Sequence, residues 1–230
     1  MKTIKVRGLV IKEYETGEAD KRLLLLCKDV GRVMVYARGA RKPRSKFMAA
    51  AQIFTYSDFV LAKGRGFYSL AQADVIENFY DLRKDYDRLM VAHIIVDACA
   101  KTVLEKSECN DLLRLVLKCL KNLMADKCEL VSNVFFLRFF DFHGLRPHSA
   151  ECAVCGIPVD EMTDGIFWSA EGTVCVSHSN SDFILSRGAV AAVSYILSSE
   201  LSAAFWFEVG NDVSEELSRA NKMLWECHYG

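Results

Sequence analysis

Over the first eighty residues, apolar and polar positions alternate in short runs that turn residues separate. Alternation with a period of two is typical of strands that have one buried face. The pattern predicts five strands, over residues 3–14, 21–28, 32–37, 54–62 and 67–74. No full-length helix interrupts them, which favours a small five-stranded barrel of the OB type. An SH3-like barrel is the alternative.

From about residue 80 onward, apolar residues recur every three or four positions, which is typical of helices. Five helices are predicted, over residues 89–103, 110–125, 130–143, 187–199 and 213–227. We expect Asp85 or Asp87 to begin the first helix, and Asn110 or Asp111 to cap the second. The third helix is apolar almost all round, so we expect it in the middle of a bundle. One edge of it could alternatively form a groove for a partner peptide.

Two pairs of metal-ligand residues interrupt the helical part of the chain. They are Cys152 with Cys155, and Cys175 with His178. Two residues separate the members of each pair, and nineteen residues separate the pairs. This spacing lets two tight turns aim four ligand atoms at one point, as in structural zinc sites. We therefore predict an insertion over residues 148–182 that structural Zn²⁺ stabilises; His148 is a less favoured alternative ligand, because it breaks the regular spacing.

The charge of the chain is divided unevenly along its length. Residues 1–46 contain 13 Lys and Arg against 5 Asp and Glu, a net charge of +8. The other 184 residues contain 16 against 25, a net charge of −9, so that the whole chain carries −1. A basic N-terminal part on an acidic remainder predicts a head that binds a polyanion and a body that contacts something else.

The segment 38–46 contains five basic residues among nine and no acidic one. Gly39 and Pro43 argue against a helix, so we expect a mobile, exposed loop. The simplest interpretation is a solvated surface loop. However, basic residues of the neighbouring strands, including Lys2, Lys21 and Arg22, could converge with it into a groove that binds phosphates without sequence preference. The predicted DNA contacts are Lys5, Arg7, Arg32, Arg38, Arg41, Lys42, Arg44 and Lys46.

The sequence contains none of the motifs that mark common enzyme classes, such as a phosphate-binding loop, His-Glu-x-x-His or Gly-x-Ser-x-Gly. A zinc hydrolase is a minor alternative.

Nine cysteines, an odd number, favour a reducing compartment over a disulfide framework. No apolar run is long enough for a membrane span, and charged residues occupy the N-terminus where a signal peptide is apolar. We therefore expect a cytoplasmic protein. The six cysteines outside the two pairs are expected to be buried thiols.

Several short motifs, in this order, resemble the RecO family of bacterial recombination mediators. They are Tyr14 with residues 18–20, residues 31–35 and 37–42, residues 137–140 with 144–147, and Cys152 to Gly156. The resemblance covers nearly the whole chain. It implies an OB-fold that binds nucleic acid over residues 1–80, and a helical domain with a zinc finger over residues 81–230. One departure is His178, where the family usually has a fourth cysteine; a Cys₃His site holds zinc equally well.

The resemblance also implies a function. Members of the family bind and anneal single-stranded DNA and also bind double-stranded DNA; together with the missing enzyme motifs, this leads us to expect no catalytic activity. They act with the partner RecR and recognise the C-terminal tail of the single-stranded DNA-binding protein, so that RecA is loaded at gaps. The implied site of action is the cytoplasm, at the nucleoid. The rival hypothesis is a zinc-stabilised adaptor that binds only proteins, with a basic loop that merely solvates the surface.

Overall fold

The computed structural model of the chain describes residues 2–104, 107–125 and 127–230. The chain divides into two compact units, Met1–Asp126 and Lys127–Gly230. Among the described residues, no helix combines the length and the apolar character that a membrane span requires.

The first unit contains a closed five-stranded barrel. Its strands are β1 (Thr3–Thr16), β2 (Asp20–Cys27), β3 (Gly31–Ala37), β4 (Tyr56–Lys63) and β5 (Tyr68–Glu77). Around the barrel their order is β1-β2-β3-β5-β4, and β4 pairs with β1 to close it. All pairs are antiparallel except β3 with β5. The predicted OB-type barrel is confirmed.

The barrel interior explains the alternation in the sequence. In β3 the buried residues Val33 and Val35 face inward, and the intervening residues are only partly buried. Strand β2 differs, because all four leucines of its apolar run, residues 23–26, are buried. Leu23 and Leu25 belong to the interior cluster, whereas the alternate residues point to the outer face. The apolar run therefore marks a strand that is covered on both faces.

Two helices belong to the same unit as the barrel: α1 (Tyr86–Thr102) and α2 (Asn110–Leu123). The side chain of Asp85 accepts a hydrogen bond from the Arg88 backbone N–H at 2.9 Å, which confirms the expected cap of α1. The expected cap of α2 was wrong. Its N-cap residue is Cys109, without a side-chain hydrogen bond, because the Asn110 side chain instead exchanges two hydrogen bonds with Asp29.

The second unit contains three helices that pack against one another and a small sheet that contacts the last two of them. The helices are α3 (Cys128–Phe142), α4 (Arg187–Ser198) and α5 (Asn211–Tyr229), and the strands are β6 (Ile166–Ser169), β7 (Gly172–Val174) and β8 (Ile184–Leu185). Helix α3 packs against both α4 and α5, so its predicted central position is confirmed. Phe135, Phe139 and Phe140 have no exposed surface. These aromatic residues therefore form core contacts and leave no groove for a peptide at their positions.

Candidate metal centre and nucleic-acid interface

The structure brings together the four predicted metal ligands. The sulfur atoms and ring nitrogen of Cys152, Cys155, Cys175 and His178 all lie within 4.8 Å of one another. The Cys155 and Cys175 sulfurs are 3.9 Å apart, and the Cys152 sulfur is 3.7 Å from Nδ1 of His178. A tetrahedral zinc ion with bonds of about 2.0–2.3 Å requires ligand atoms at about these separations. The donor set and its spacing therefore fit a metal ion with four protein ligands.

Two local turns create this convergence. In the first, the Gly156 N–H donates to the Cys152 carbonyl at 2.9 Å, and the positive φ of Gly156, 72°, permits the turn. In the second, the His178 N–H donates to the Cys175 carbonyl at 3.0 Å. The hairpin of β6 and β7 connects the two turns, and its fully buried Trp168 donates from Nε1 to the Ala220 carbonyl of α5 at 3.3 Å. The site is thereby fastened to the helices.

The surroundings of Cys152 favour a thiolate, the form that binds metal. Burial raises the pKa of the Cys152 thiol, but hydrogen bonds from the backbone of Cys155, Cys175 and Val154 outweigh it and lower the pKa to about 6. One of them is the Cys175 N–H, 3.4 Å from the sulfur. His148 lies outside the cluster; it is exposed, and its backbone pairs with Gly172.

The six other cysteines do not share one environment. Cys27, Cys99, Cys109 and Cys119 are buried as expected, and burial raises the pKa of Cys27 to about 12 and that of Cys109 to about 11. These thiols therefore stay protonated near neutral pH. The expectation was wrong for Cys227, which is exposed, and for Cys128, which is only partly buried. Cys128 is the first residue of α3, and Cys227 lies in the last turn of α5, so both are at helix ends.

The basic loop, residues 38–46, places its five cations on the surface. Arg38, Arg41, Lys42, Arg44 and Lys46 are all exposed. The loop is more firmly held than the expected mobile segment: the Gly39 N–H donates to the Asp20 carboxylate at 2.7 Å, and the Arg41 N–H donates to the Ala19 carbonyl at 2.9 Å. Both partners lie at the turn between β1 and β2, and the loop is therefore fixed against one end of the barrel.

The five cations differ in their partners. Arg41 forms an ion pair with Glu15 at 3.0 Å, and Lys46 donates to the Ala71 carbonyl at 3.2 Å. The side chains of the remaining three form no ion pair or hydrogen bond with any described residue. These are Arg38, Lys42 and Arg44. Their charge is therefore uncompensated by a direct contact and available to an external anion.

The other three predicted contacts lie outside the loop. Arg7 forms two hydrogen bonds with the Asp58 carboxylate, at 2.7 and 2.8 Å, which lower the pKa of that carboxyl and raise the pKa of Arg7. Arg32 donates to the Ala100 carbonyl near the end of α1 at 2.6 Å. Lys5 is exposed and lines the same groove as Arg7. Two of the three are thus engaged within the protein.

Sequence reasoning gave no role to the aromatic residues of the barrel. The rings of Tyr36 and Phe67 meet edge to face with centroids 5.4 Å apart, and the Arg22 guanidinium lies 5.6 Å from the centre of the Tyr14 ring. The alternation of β3 could have indicated that Tyr36 faces outward. It could not have indicated that Phe67, from a distant turn, lies beside it.

Protein-family models match the chain in two consecutive parts. The model "Recombination protein O N terminal" matches residues 1–79, and "Recombination protein O C terminal" matches residues 83–230. The two models meet close to the predicted boundary between residues 80 and 81, whereas the compact units meet at residues 126 and 127. The functional boundary at residue 80 stays a prediction.

Curated relatives cover most of the chain. A protein named DNA repair protein RecO from Acetivibrio thermocellus is 35% identical over 226 residues, which span 96% of this chain and 90% of the relative. Proteins of the same name from Desulforamulus reducens and Symbiobacterium thermophilum are each 30% identical, over 222 and 223 residues. They cover 95% and 94% of this chain, and 86% and 88% of their own lengths.

Proposed function

The chain belongs to the recombination protein O (RecO) family, and from this premise we propose that it is a DNA-repair mediator that binds DNA directly and catalyses no reaction. The observation that carries the proposal is the group of exposed cations on one fixed loop of an OB-type barrel. Arg38, Lys42 and Arg44 have no direct partner among the described residues. A fixed set of uncompensated positive charges is suited to binding the phosphates of DNA, whatever the base sequence.

We assign the main phosphate contacts to the five cations of the basic loop. Arg41 and Lys46 can exchange their present partners for phosphate, because both are exposed. We propose supporting contacts from Lys5, Arg7 and Arg32. A phosphate at Arg7 would compete with the Asp58 carboxylate, which already pairs with its guanidinium. If five phosphates of a single strand are neutralised, the slope of log affinity against log salt is about −3.5. A fourfold rise in salt then weakens binding about 100-fold.

Annealing follows from phosphate binding without any reactive group. Two complementary strands repel each other through their phosphates, and a cationic surface that holds one strand reduces this repulsion for the second. The proposed ligands are single-stranded and double-stranded DNA. The proposed protein partners are RecR and the C-terminal tail of the single-stranded DNA-binding protein, with which the chain would help to load RecA at gaps, in the cytoplasm at the nucleoid.

We assign a structural role to the metal site. Zn²⁺ is the proposed ion, because three sulfur ligands and one imidazole suit it. Cys152, Cys155, Cys175 and His178 would hold it, and no position would be left for a water molecule. When bound, the ion joins the two turns and supplies no chemistry to DNA.

A titration of a labelled single-stranded oligonucleotide at two salt concentrations tests the proposal. The double variant Lys42→Ala/Arg44→Ala should bind more weakly and reduce the salt slope by about 1.4, because two phosphate contacts are lost. The control Lys84→Ala/Lys222→Ala removes the same charge from two exposed lysines elsewhere, one between β5 and α1 and the other on α5. It should leave the slope unchanged.

Absence of binding at low salt would contradict the proposal and favour the adaptor that binds only proteins. Equal losses in the loop variant and the control variant would also contradict it, since they would mean that only the net charge of the protein matters. A zinc hydrolase would be favoured if X-ray absorption of the zinc-loaded protein revealed a bound water among the ligands.

A further inference from the structure

A row of aromatic and basic side chains crosses the outer surface of the barrel. Tyr14 on β1 lies opposite Arg22 on β2, and Arg22 lies opposite Tyr36 on β3. The Tyr36 ring in turn meets the ring of Phe67, which precedes β5. The four residues, here called the aromatic row, therefore form a continuous strip across three strands to the turn between β4 and β5.

The aromatic row faces away from the barrel interior. Val35 and Ala37 belong to the interior cluster, so Tyr36 between them points outward. Helix α1 covers another part of this outer face, where Arg32 donates to the Ala100 carbonyl. It leaves the aromatic row accessible: Tyr36 is half-buried, and Phe67 is 41% exposed. An exposed aromatic ring beside a second ring offers a flat apolar surface to a planar ligand.

Arg22 gives the row a charge that no described residue compensates. Its guanidinium lies 5.6 Å from the Tyr14 ring centre, and its Nε atom is buried without a hydrogen-bond partner. The other N–H donors of the guanidinium have no acceptor among the described residues, so an anion or a base edge could bind them. Arg38 follows Tyr36 by two residues, and exposed Arg65 lies two residues before Phe67. Exposed cations thus follow Tyr36 and precede Phe67 along the chain, a combination of charge and aromatic rings that suits single-stranded nucleic acid.

We propose that the aromatic row stacks the unpaired bases of single-stranded DNA while the basic loop holds the phosphates. This proposal rests on the proposed function, because it assigns a second part to the same DNA-binding surface. Every base has an aromatic face, so stacking does not depend on the base sequence of the DNA. In a duplex those faces are covered by neighbouring bases. The aromatic row would therefore bind single strands in preference to duplexes, whereas the basic loop would bind both.

The test compares a labelled single-stranded oligonucleotide with a duplex of the same length, by fluorescence anisotropy. Phe67→Leu and Tyr36→Leu keep an apolar side chain and remove the aromatic face. Each should weaken binding of the single strand about 5-fold or more, the lower end of the range for stacking of one base. Duplex affinity and the salt slope should stay unchanged. Tyr86→Leu, at a position that is 74% exposed on α1, is the control and should bind both as the wild type does.

A further variant avoids a loss of packing at the half-buried position. Tyr36→Trp retains an aromatic face, so it should keep the single-strand affinity. The tryptophan introduced at this position adds fluorescence that the wild type lacks. Single-stranded DNA should quench this added fluorescence, and duplex DNA should not. If Phe67→Leu lost equal affinity for the single strand and the duplex, or lost affinity for neither, base stacking by the aromatic row would be refuted and the proposed function would stand. A wild type that binds neither DNA would overturn the proposed function together with base stacking.

Discussion

Loss of the metal should unfold the insertion and leave DNA binding largely intact. The sheet beside the site has strands of only four, three and two residues, β6, β7 and β8. Such short strands bury few apolar side chains: Trp168 completely, and Ile166, Val174 and Leu185 almost completely. Structural zinc supplies about 10–16 kcal/mol in small domains, comparable with the whole stability of a typical domain, about 5–15 kcal/mol. The insertion should therefore not stay folded without it.

The perturbation is Cys155→Ala, or removal of zinc with a chelator. Zinc content by mass spectrometry should fall from one ion per chain, and limited proteolysis should then cut within residues 148–182. The barrel belongs to the other compact unit and should resist cleavage. Cys227→Ala is the matched control, because that cysteine is exposed and lies outside the cluster. It should keep its zinc and its resistance to protease.

The assay that decides the interpretation is DNA binding by the zinc-free protein. We expect affinity for single-stranded DNA within about threefold of the wild type, since all the proposed contacts lie in the barrel unit. A Cys155→Ala protein that stays folded and protease-resistant but loses DNA binding would refute the reasoning. It would mean that the metal site contacts DNA or organises the surface that does.

Two further perturbations test single features of the structure. Asp58→Asn removes the carboxylate that pairs with Arg7, so DNA should bind more tightly at low salt if Arg7 is a supporting contact; unchanged affinity in the oligonucleotide titration would remove Arg7 from the interface. Gly172→Ala should lower the melting temperature and the zinc affinity, because the added Cβ would lie 2.3 Å from backbone atoms of His148. Gly156→Ala is its control: the Cβ there meets nothing within 4 Å, so only the cost of a positive φ, about 1–2 kcal/mol, should be measured by thermal melting.

Features that depend on local sequence could be predicted. Strand β3 follows from alternation, because it buries one face against the interior, and β2 follows from its continuous apolar run, because both of its faces are covered. The metal ligands converge because two turns, each of four residues, place them, and only the hairpin between the turns has to bring the pairs together. The cap at Asp85 likewise depends on a residue three positions away.

Features that depend on distant partners could not be predicted. Arg7 finds Asp58 at a separation of 51 residues, and Arg32 finds the Ala100 carbonyl at a separation of 68. No periodicity in the sequence indicates either contact. From the sequence alone, cations that have a protein partner therefore cannot be told apart from cations that have none. The same limitation explains the aromatic row, since Phe67 approaches Tyr36 only because β5 lies parallel to β3.

The most direct test of the account is the salt dependence of single-strand binding by the wild type and by Lys42→Ala/Arg44→Ala. The account predicts a slope of about −3.5 for the wild type and about −2 for the variant, with the Lys84→Ala/Lys222→Ala control at the wild-type value. A wild-type slope near zero, or the same slope in the wild type and the loop variant, would contradict the claim that the basic loop on the barrel binds the phosphates of DNA.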